Sequence, residues 1–216
     1  MRARLHHRGP DGHGMHLQGP IGLAHTRLAI IDIAGGEQPL CNEDATVWVT
    51  FNGEIFNYKE LRQSLIAKGH TFKTQSDTEV LVHLYEDLGD AFISELNGQF
   101  AIALWDQRRE RLLLARDRMG IRPLFYAFDG RRLAFASEVK ALFALPSLRR
   151  QIDLSSLASI FSYWSVLPPA AVFEGVHCVA PAHVMTIDRH GTQTKRYWAW
   201  PFDAAAENNP LSEDDA

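Results

Sequence analysis

Between Gln99 and Ala136 the chain places four apolar β runs in quick succession: Gln99 to Trp105, Arg111 to Ala115, Leu124 to Phe128 and Arg132 to Ala136. The links Asp106 to Glu110 and Asp129-Gly130 are far shorter than the dozen or more residues that a parallel crossover needs. These runs therefore pair antiparallel, with hairpin loops at both links and a longer turn over Asp117 to Pro123, where Gly120 is free to take positive φ. Helical patterns surround them. Tyr58, Leu61 and Leu65 share a face that Gly69 ends, and Val80, Leu81, Leu84, Tyr85 and Leu88 share another that Gly89 ends. Asn57 with Glu60, and Ser76-Asp77-Thr78-Glu79, fit capping boxes. Ser137 is expected to cap a helix through about Leu145 and Asp153 another through about Tyr163, and late strands fall near His183 to Asp188 and Thr194 to Trp198. Strands alternating with paired helices, without strict strand-helix-strand units, give an α+β domain whose helices cover sheet faces.

The most informative stretch is Val47 to Tyr58. Branched and aromatic residues from Val47 to Phe51 make a strand, and Asn52-Gly53 is expected to break it. Asn-Gly after a strand is commonly a hairpin turn. The helix signal beginning at Asn57 argues instead for a strand-to-helix elbow, in which the Asn52 amide and the Gly53 backbone N–H could face a developing oxyanion. Ile21 to Ile33 reads as one kinked strand or two end to end, interrupted by His25, Thr26 and Arg27. A guanidinium in an apolar strand must be solvated, paired or aimed at an anion, because burying it bare is costly. A structural ion pair is the plainest role for Arg27. Asp77, read as part of a helix's first turn, is accounted for by the helix dipole alone, worth about 0.3–1 kcal/mol.

Composition removes several classes. Hydrophobic residues make up 46% and charged residues 22% of the 216, with a net charge of −4. This is an ordinary globular balance, and with no basic patch interleaved with aromatics it argues against a nucleic-acid partner. The longest apolar runs are too short to span a bilayer and no signal peptide is evident, so a cytoplasmic protein with no membrane partner is expected. Cys41 and Cys178 offer neither a disulfide framework nor zinc spacing, and read as buried or idle thiols. His6, His7, His13 and His16 lack supporting ligands and read as solvated loop histidines, so no metal site is expected. Neither a dinucleotide fingerprint nor a phosphate loop is present, so no cofactor site is expected in this chain.

Taken in order, His7-Arg8-Gly9-Pro10-Asp11-Gly12, Arg27 to Asp32, Gln38-Pro39-Leu40, Phe51 to Tyr58, Ser76-Asp77-Thr78-Glu79, Ala115-Arg116-Asp117-Arg118 and Ser137 to Leu142 resemble the glutaminase domain of glutamine-hydrolysing asparagine synthetases. Arg27-Leu28-Ala29-Ile30 favours that branch over the phosphoribosylpyrophosphate and glucosamine-phosphate amidotransferases, whose arginine typically continues Trp-Ala-Thr. The resemblance implies a class II amidotransferase with the N-terminal-nucleophile hydrolase fold, a four-layer α-β-β-α sandwich of antiparallel sheets. It implies L-glutamine as ligand, with Arg27 on the α-carboxylate, Asp77 on the α-ammonium, Asn52 and Gly53 as the oxyanion hole, and Glu54 in the same glutamine-binding segment. The family's nucleophile is an N-terminal cysteine whose own α-amine carries the proton, since an amine of pKa near 7.7–8 is a good base at neutral pH.

That family begins Met-Cys-Gly-Ile, and no cysteine precedes Cys41 here. The expectation is a glutaminase domain over residues 1–198, N-terminally truncated and lacking the cysteine strand. A linker over 199–216 would lead toward an ATP-dependent synthetase domain, normally in cis, for which ATP and Mg2+ are the implied cofactors. A homodimer is among the assemblies the resemblance allows. The parent enzyme would pass ammonia from glutamine to activated aspartate or a related carboxylate, while this chain alone binds glutamine without hydrolysing it. The alternatives are a non-catalytic glutamine-sensing or partner-binding module, which binds glutamine but never hydrolyses it, and a purely structural domain, which binds none.

Overall fold

Antiparallel pairing, as the short links require, builds every sheet of the computed structural model, which describes residues 1–200. In chain order the strands are β1 (Gly12–Gln18), β2 (Ile21–Arg27), β3 (Leu40–Cys41), β4 (Val47–Ile55), β5 (Gly98–Asp106), β6 (Arg111–Arg116), β7 (Phe125–Phe128), β8 (Leu133–Ala136), β9 (Val176–Cys178), β10 (His183–Asp188) and β11 (Gly191–Arg196). The helices are α1 (Tyr58–Ala67), α2 (Glu79–Leu88), α3 (Phe92–Glu95), α4 (Val139–Leu142) and α5 (Leu154–Tyr163), with a 3-10 turn at Arg2–Arg8. A six-stranded sheet has the order β11-β10-β6-β5-β4-β3, beside a β1-β2 hairpin and a β8-β7-β9 sheet.

Side-chain alternation sorts these elements into layers. Val49, Phe51, Ile55, Phe100, Ile102 and Leu104 leave one face of the large sheet and pack on Leu65 of α1 and Val80, Leu81 and Leu84 of α2. Ala101, Ala103, Trp105, Leu112, Leu114 and Met185 leave the other face and meet Leu23 of β2, with Tyr126, Leu133 and Phe135 of the small sheet. Beyond that sheet lie Ala141 and Leu142 of α4 and Leu5 of the N-terminal turn. The result is an α-β-β-α sandwich. Its central strands are buried on both faces, which is why β5 reads as an unbroken apolar run.

Several local expectations are corrected. Asn52-Gly53 does not end β4, which stays paired with β5 through Ile55. A Cβ on Gly53 would stand 2.0 Å from the Gln99 carbonyl oxygen, and one on Gly98 2.3 Å from that of Glu54. Glycine therefore serves close strand approach here, not a turn. The Ile21 to Ile33 stretch stops being a strand at Arg27, and Leu28, Ile30 and Ile33 lie exposed in the loop beyond. Neither capping box forms. The Asn57 side chain bonds Glu95 O and Asn97 N, and the Glu79 carboxylate folds back onto the backbone N–H groups of Lys73 and Thr74. Asp77 therefore lies ahead of α2, whose N-cap is Thr78. The helix expected from Ser137 to Leu145 is only the four residues of α4, whereas Asp153 does cap α5 through the N–H of Ser156.

The histidines expected in one solvated loop are spread over the N-terminal turn and β1, and His16 stacks on Trp48 with ring centroids 3.7 Å apart. Cys41, in β3, is half-buried, and Cys178 is buried in β9 as expected. The linker expected over 199–216 lies, from residue 201 onward, outside the described residues. No helix among the described residues is long and apolar enough to cross a membrane.

Candidate functional site

Between the two sheet layers lies a cavity of about 460 Å³, within the usual range for small-molecule sites. Thr50 and Asn52 of β4, Ala101 and Ala103 of β5, and β2 from Gly22 to Arg27 form its walls, and the N-terminal turn reaches it through Arg2 and Leu5. All five residues singled out from sequence, Arg27, Asn52, Gly53, Glu54 and Asp77, line this one space.

Period-two alternation places Asn52 on the inter-sheet side, between Phe51 and the helix-facing Ile55. Its Nδ2 is buried and has no hydrogen-bond partner among the described groups. A buried amide donor left unpaired costs about 1–3 kcal/mol, so such a group is uncommon without a ligand to take it. Asp77 is 4% exposed, and its Oδ2 accepts the Ile55 N–H at 3.0 Å. Burial pushes its carboxyl above the usual range; the Ile55 N–H opposes this, and the charge of Glu54 adds to it. No salt bridge reaches Asp77 among the described residues. The cavity thus contains a buried acid that lacks a cation.

Arg27 is not in the ion pair its strand position suggested. Its guanidinium donates to the carbonyls of Ile33 (3.0 Å), Ile31 (3.2 Å) and Asp32 (2.5 Å) and so folds the exposed loop back around itself. Three of its five N–H groups are spent there, which leaves two for an anion. Asp32, at φ 50°, turns that loop, and its Oδ2 accepts the Gln75 N–H at 2.7 Å just before Asp77.

Sequence reasoning gave no role to His25 or Gln38. His25 lines the cavity with Nδ1 3.2 Å from Thr50 Oγ1, and burial, helped by the Arg27 charge, pushes its pKa down to about 4. A neutral imidazole therefore faces the cavity. Gln38 accepts the Phe51 N–H at 2.7 Å and donates to Thr78 Oγ1 at 3.2 Å, so it ties β4 to the start of α2 between Asn52 and Asp77. A glutamine before a proline carries no periodic signal, so only its pairing across the fold reveals it. Neither Cys41 nor Cys178 lines the cavity, and burial raises the pKa of both thiols.

Residues 1–198 match the family model of the glutamine amidotransferase domain. The chain belongs to this family. Among the relatives of this amidotransferase domain, asparagine synthetase [glutamine-hydrolyzing] 3 of Bacillus subtilis is 39% identical over 201 residues, covering 92% of the chain and 33% of the relative. Asparagine synthetase [glutamine-hydrolyzing] 1 of the same organism is 41% identical over 203 residues, 94% of the chain and 32% of the relative. The chain thus spans about a third of the length of these curated relatives, and it aligns with the amidotransferase portion of asparagine synthetases. Glutamine phosphoribosylpyrophosphate amidotransferase of B. subtilis shares the fold, with a TM-score of 0.60 and 24% identity over 82% of this chain and 35% of that one. The four-layer sandwich is therefore a fold shared with a solved glutamine amidotransferase.

Proposed function

We propose that the cavity binds L-glutamine, as the amidotransferase part of a glutamine- and ATP-dependent asparagine synthetase-like enzyme. One observation carries this reading: a guanidinium, a buried carboxylate without a cation and an unpaired amide donor converge on one space. These are the complements of an α-carboxylate, an α-ammonium and a side-chain amide carbonyl. In the proposal Arg27 takes the carboxylate through its two remaining N–H groups, a charge-assisted contact worth about 1.5–3 kcal/mol. Asp77 takes the ammonium, which favours its ionised form and offsets the burial that raises its pKa. Asn52 Nδ2 and the Gly53 N–H receive the amide oxygen as it gains charge, where one donor is worth about 2.7–4 kcal/mol of barrier. Glu54 lies beside Asp77 and reinforces the preference for a cation there.

Hydrolysis to glutamate and ammonia requires a nucleophile, and no thiol lines the cavity. The chain by itself is therefore proposed to bind glutamine without turning it over. The whole enzyme is proposed to deliver ammonia to an activated aspartate or related carboxylate, with ATP and Mg2+ belonging to its synthetase portion and to no residue of this cavity. α5 and the turn after it expose Phe161, Tyr163 and Trp164 at 82%, 63% and 93%, which supports a surface that another domain covers. The lack of a thiol in the cavity also favours a second reading, a glutamine-sensing module. The two part when the chain is joined to a synthetase portion and an N-terminal cysteine, since only the first reading gives glutamine-dependent ammonia transfer.

The test is to titrate the chain with L-glutamine while assaying glutamate release. Saturable binding without glutamate is expected. Glutamate release above the buffer rate would place a working nucleophile in this chain and overturn the inactive assignment, and absence of binding would overturn the site.

A further inference from the structure

A second cluster of chemistry-bearing side chains lies apart from the cavity and shares no residue with its lining. Glu43 comes from the turn after β3, His70 from the connection after α1, and His83 and Glu86 from one face of α2. One ligand atom from each falls within 4.8 Å of the others. His83 Nδ1 stands 3.2 Å from Glu43 Oε2 and 3.4 Å from Glu86 Oε2. His70 Nδ1 stands 3.4 Å from Glu43 Oε1 and 3.9 Å from Glu86 Oε2. A tetrahedral ion with bonds of about 2.0–2.1 Å holds its ligands about 3.3–3.4 Å apart. The two His83 spacings approximate edges of that tetrahedron, while His70 Nδ1 lies nearer the other oxygen of Glu43 and 3.9 Å from Glu86 Oε2, so a small rotation of the Glu43 carboxylate and the His70 ring completes it.

An outer ring orients the four. His70 Nε2 lies 3.1 Å from Asp87 Oδ1, and a proton held there leaves the Nδ1 lone pair toward the centre, the usual carboxylate–histidine arrangement behind a metal. Glu86 Oε1 accepts from Asn42 Nδ2 at 2.7 Å, and Glu43 Oε1 accepts the Thr71 N–H at 3.0 Å. His83 is fully buried, its ring edge-on to Phe72, so it is held with little freedom. The charge balance points the same way. Glu43 and Glu86 lie within 4.0 Å of both imidazoles, Glu79 of His83 and Asp87 of His70, and among them only Asp87 has a lysine, Lys68 at 2.8 Å.

We propose that Glu43, His70, His83 and Glu86 form a binding site for one divalent transition-metal ion of the zinc class, a donor set of imidazole nitrogen and carboxylate oxygen suited to zinc or cobalt. The ion joins the β3–β4 turn to the α1–α2 connection and to α2. Its role is structural, because all four protein ligands close the coordination sphere.

The test uses tag-free, chelator-treated protein titrated with Zn2+ against a chromophoric chelator, and with Co2+ read by its visible spectrum. The expected result is one ion per chain, a four-coordinate Co2+ spectrum and a higher unfolding temperature with Zn2+. Glu43→Gln and His70→Gln, both toward the surface, are each expected to weaken binding by about 100-fold or more, and Asp87→Asn by about 10–100-fold. His13→Ala and Cys41→Ser should leave it unchanged. Sub-stoichiometric binding, or an octahedral Co2+ spectrum in the folded wild type, would overturn the site without reference to any variant. Binding that survives Glu43→Gln and His70→Gln, or is lost in Cys41→Ser, would move the ion elsewhere and equally overturn it.

Discussion

His25 and Asp77 titrate in opposite directions because burial disfavours the charged form of each. For His25 the folded pKa, about 4, lies below the unfolded value of about 6.5. The unfolded chain then binds the proton more readily, so stability is full above about pH 6.5 and is lost as the pH falls toward 4, by on the order of 3 kcal/mol. His25→Asn should flatten this loss in thermal unfolding measured across that range. For Asp77 the folded carboxyl is raised, so the fold takes up its proton more readily than the unfolded chain and ionisation at neutral pH weakens it. Asp77→Asn is expected to raise the unfolding temperature at neutral pH, with a gain that fades as the pH falls through the carboxylate range. The same change should weaken glutamine binding, as expected where a site stores unfavourable burial for a ligand. Arg27, a charge inside an apolar strand pattern, stood out in the sequence, whereas Asp77 was masked by an ordinary helix-start pattern and drew attention only through the resemblance. His25 did not stand out, because a histidine inside a strand pattern carries no mark of what it faces.

At the level of elements, the turn after β6 is held by two side chains, the Arg116 guanidinium on the carbonyls of Gly120 and Arg122 and the Asp117 carboxylate on the N–H groups. Asp117 is 1% exposed, and its carboxylate accepts the backbone N–H groups of Phe100 (3.1 Å), Met119 (3.1 Å), Ile121 (2.9 Å) and Arg122 (3.0 Å). Asp117→Ala leaves four buried or half-buried donors to find other partners, and is expected to cost about 3 kcal/mol or more, or about 6–12 °C in Tm. A loss under about 1 kcal/mol in a thermal or urea titration would show that water replaces the carboxylate. The hairpins β5-β6 and β7-β8 were legible because link length alone dictates antiparallel pairing. The ends of β2 and β4 were not. β2 stops because the Arg27 guanidinium gathers the carbonyls of the following loop, and β4 continues because Gly53 and Gly98 allow two backbones to approach closely. The first is a side-chain-to-backbone contact four to six residues ahead and the second a pairing between strands distant in sequence, and neither is encoded in the intrinsic propensity of the residues involved.

For the whole molecule, the four layers place the cavity where the β1-β2 hairpin, the large sheet and the start of α2 meet. Each group of the proposed glutamine site sits on a different element: Arg27 at the end of β2, Asn52 on β4 and Asp77 ahead of α2. The proposed binding therefore requires the assembled sandwich rather than any one motif. The measurement that bears most directly on this account is calorimetric titration of L-glutamine into the wild-type chain and into Arg27→Ala and Asp77→Asn. Asn at position 77 can still accept the Ile55 N–H, so that variant removes the charge and keeps the fold. The account predicts saturable binding to the wild type, weakened by about 10–100-fold or more in either variant, as loss of a charge-assisted contact implies. No binding to the folded wild type, or equal binding to all three proteins, would contradict it.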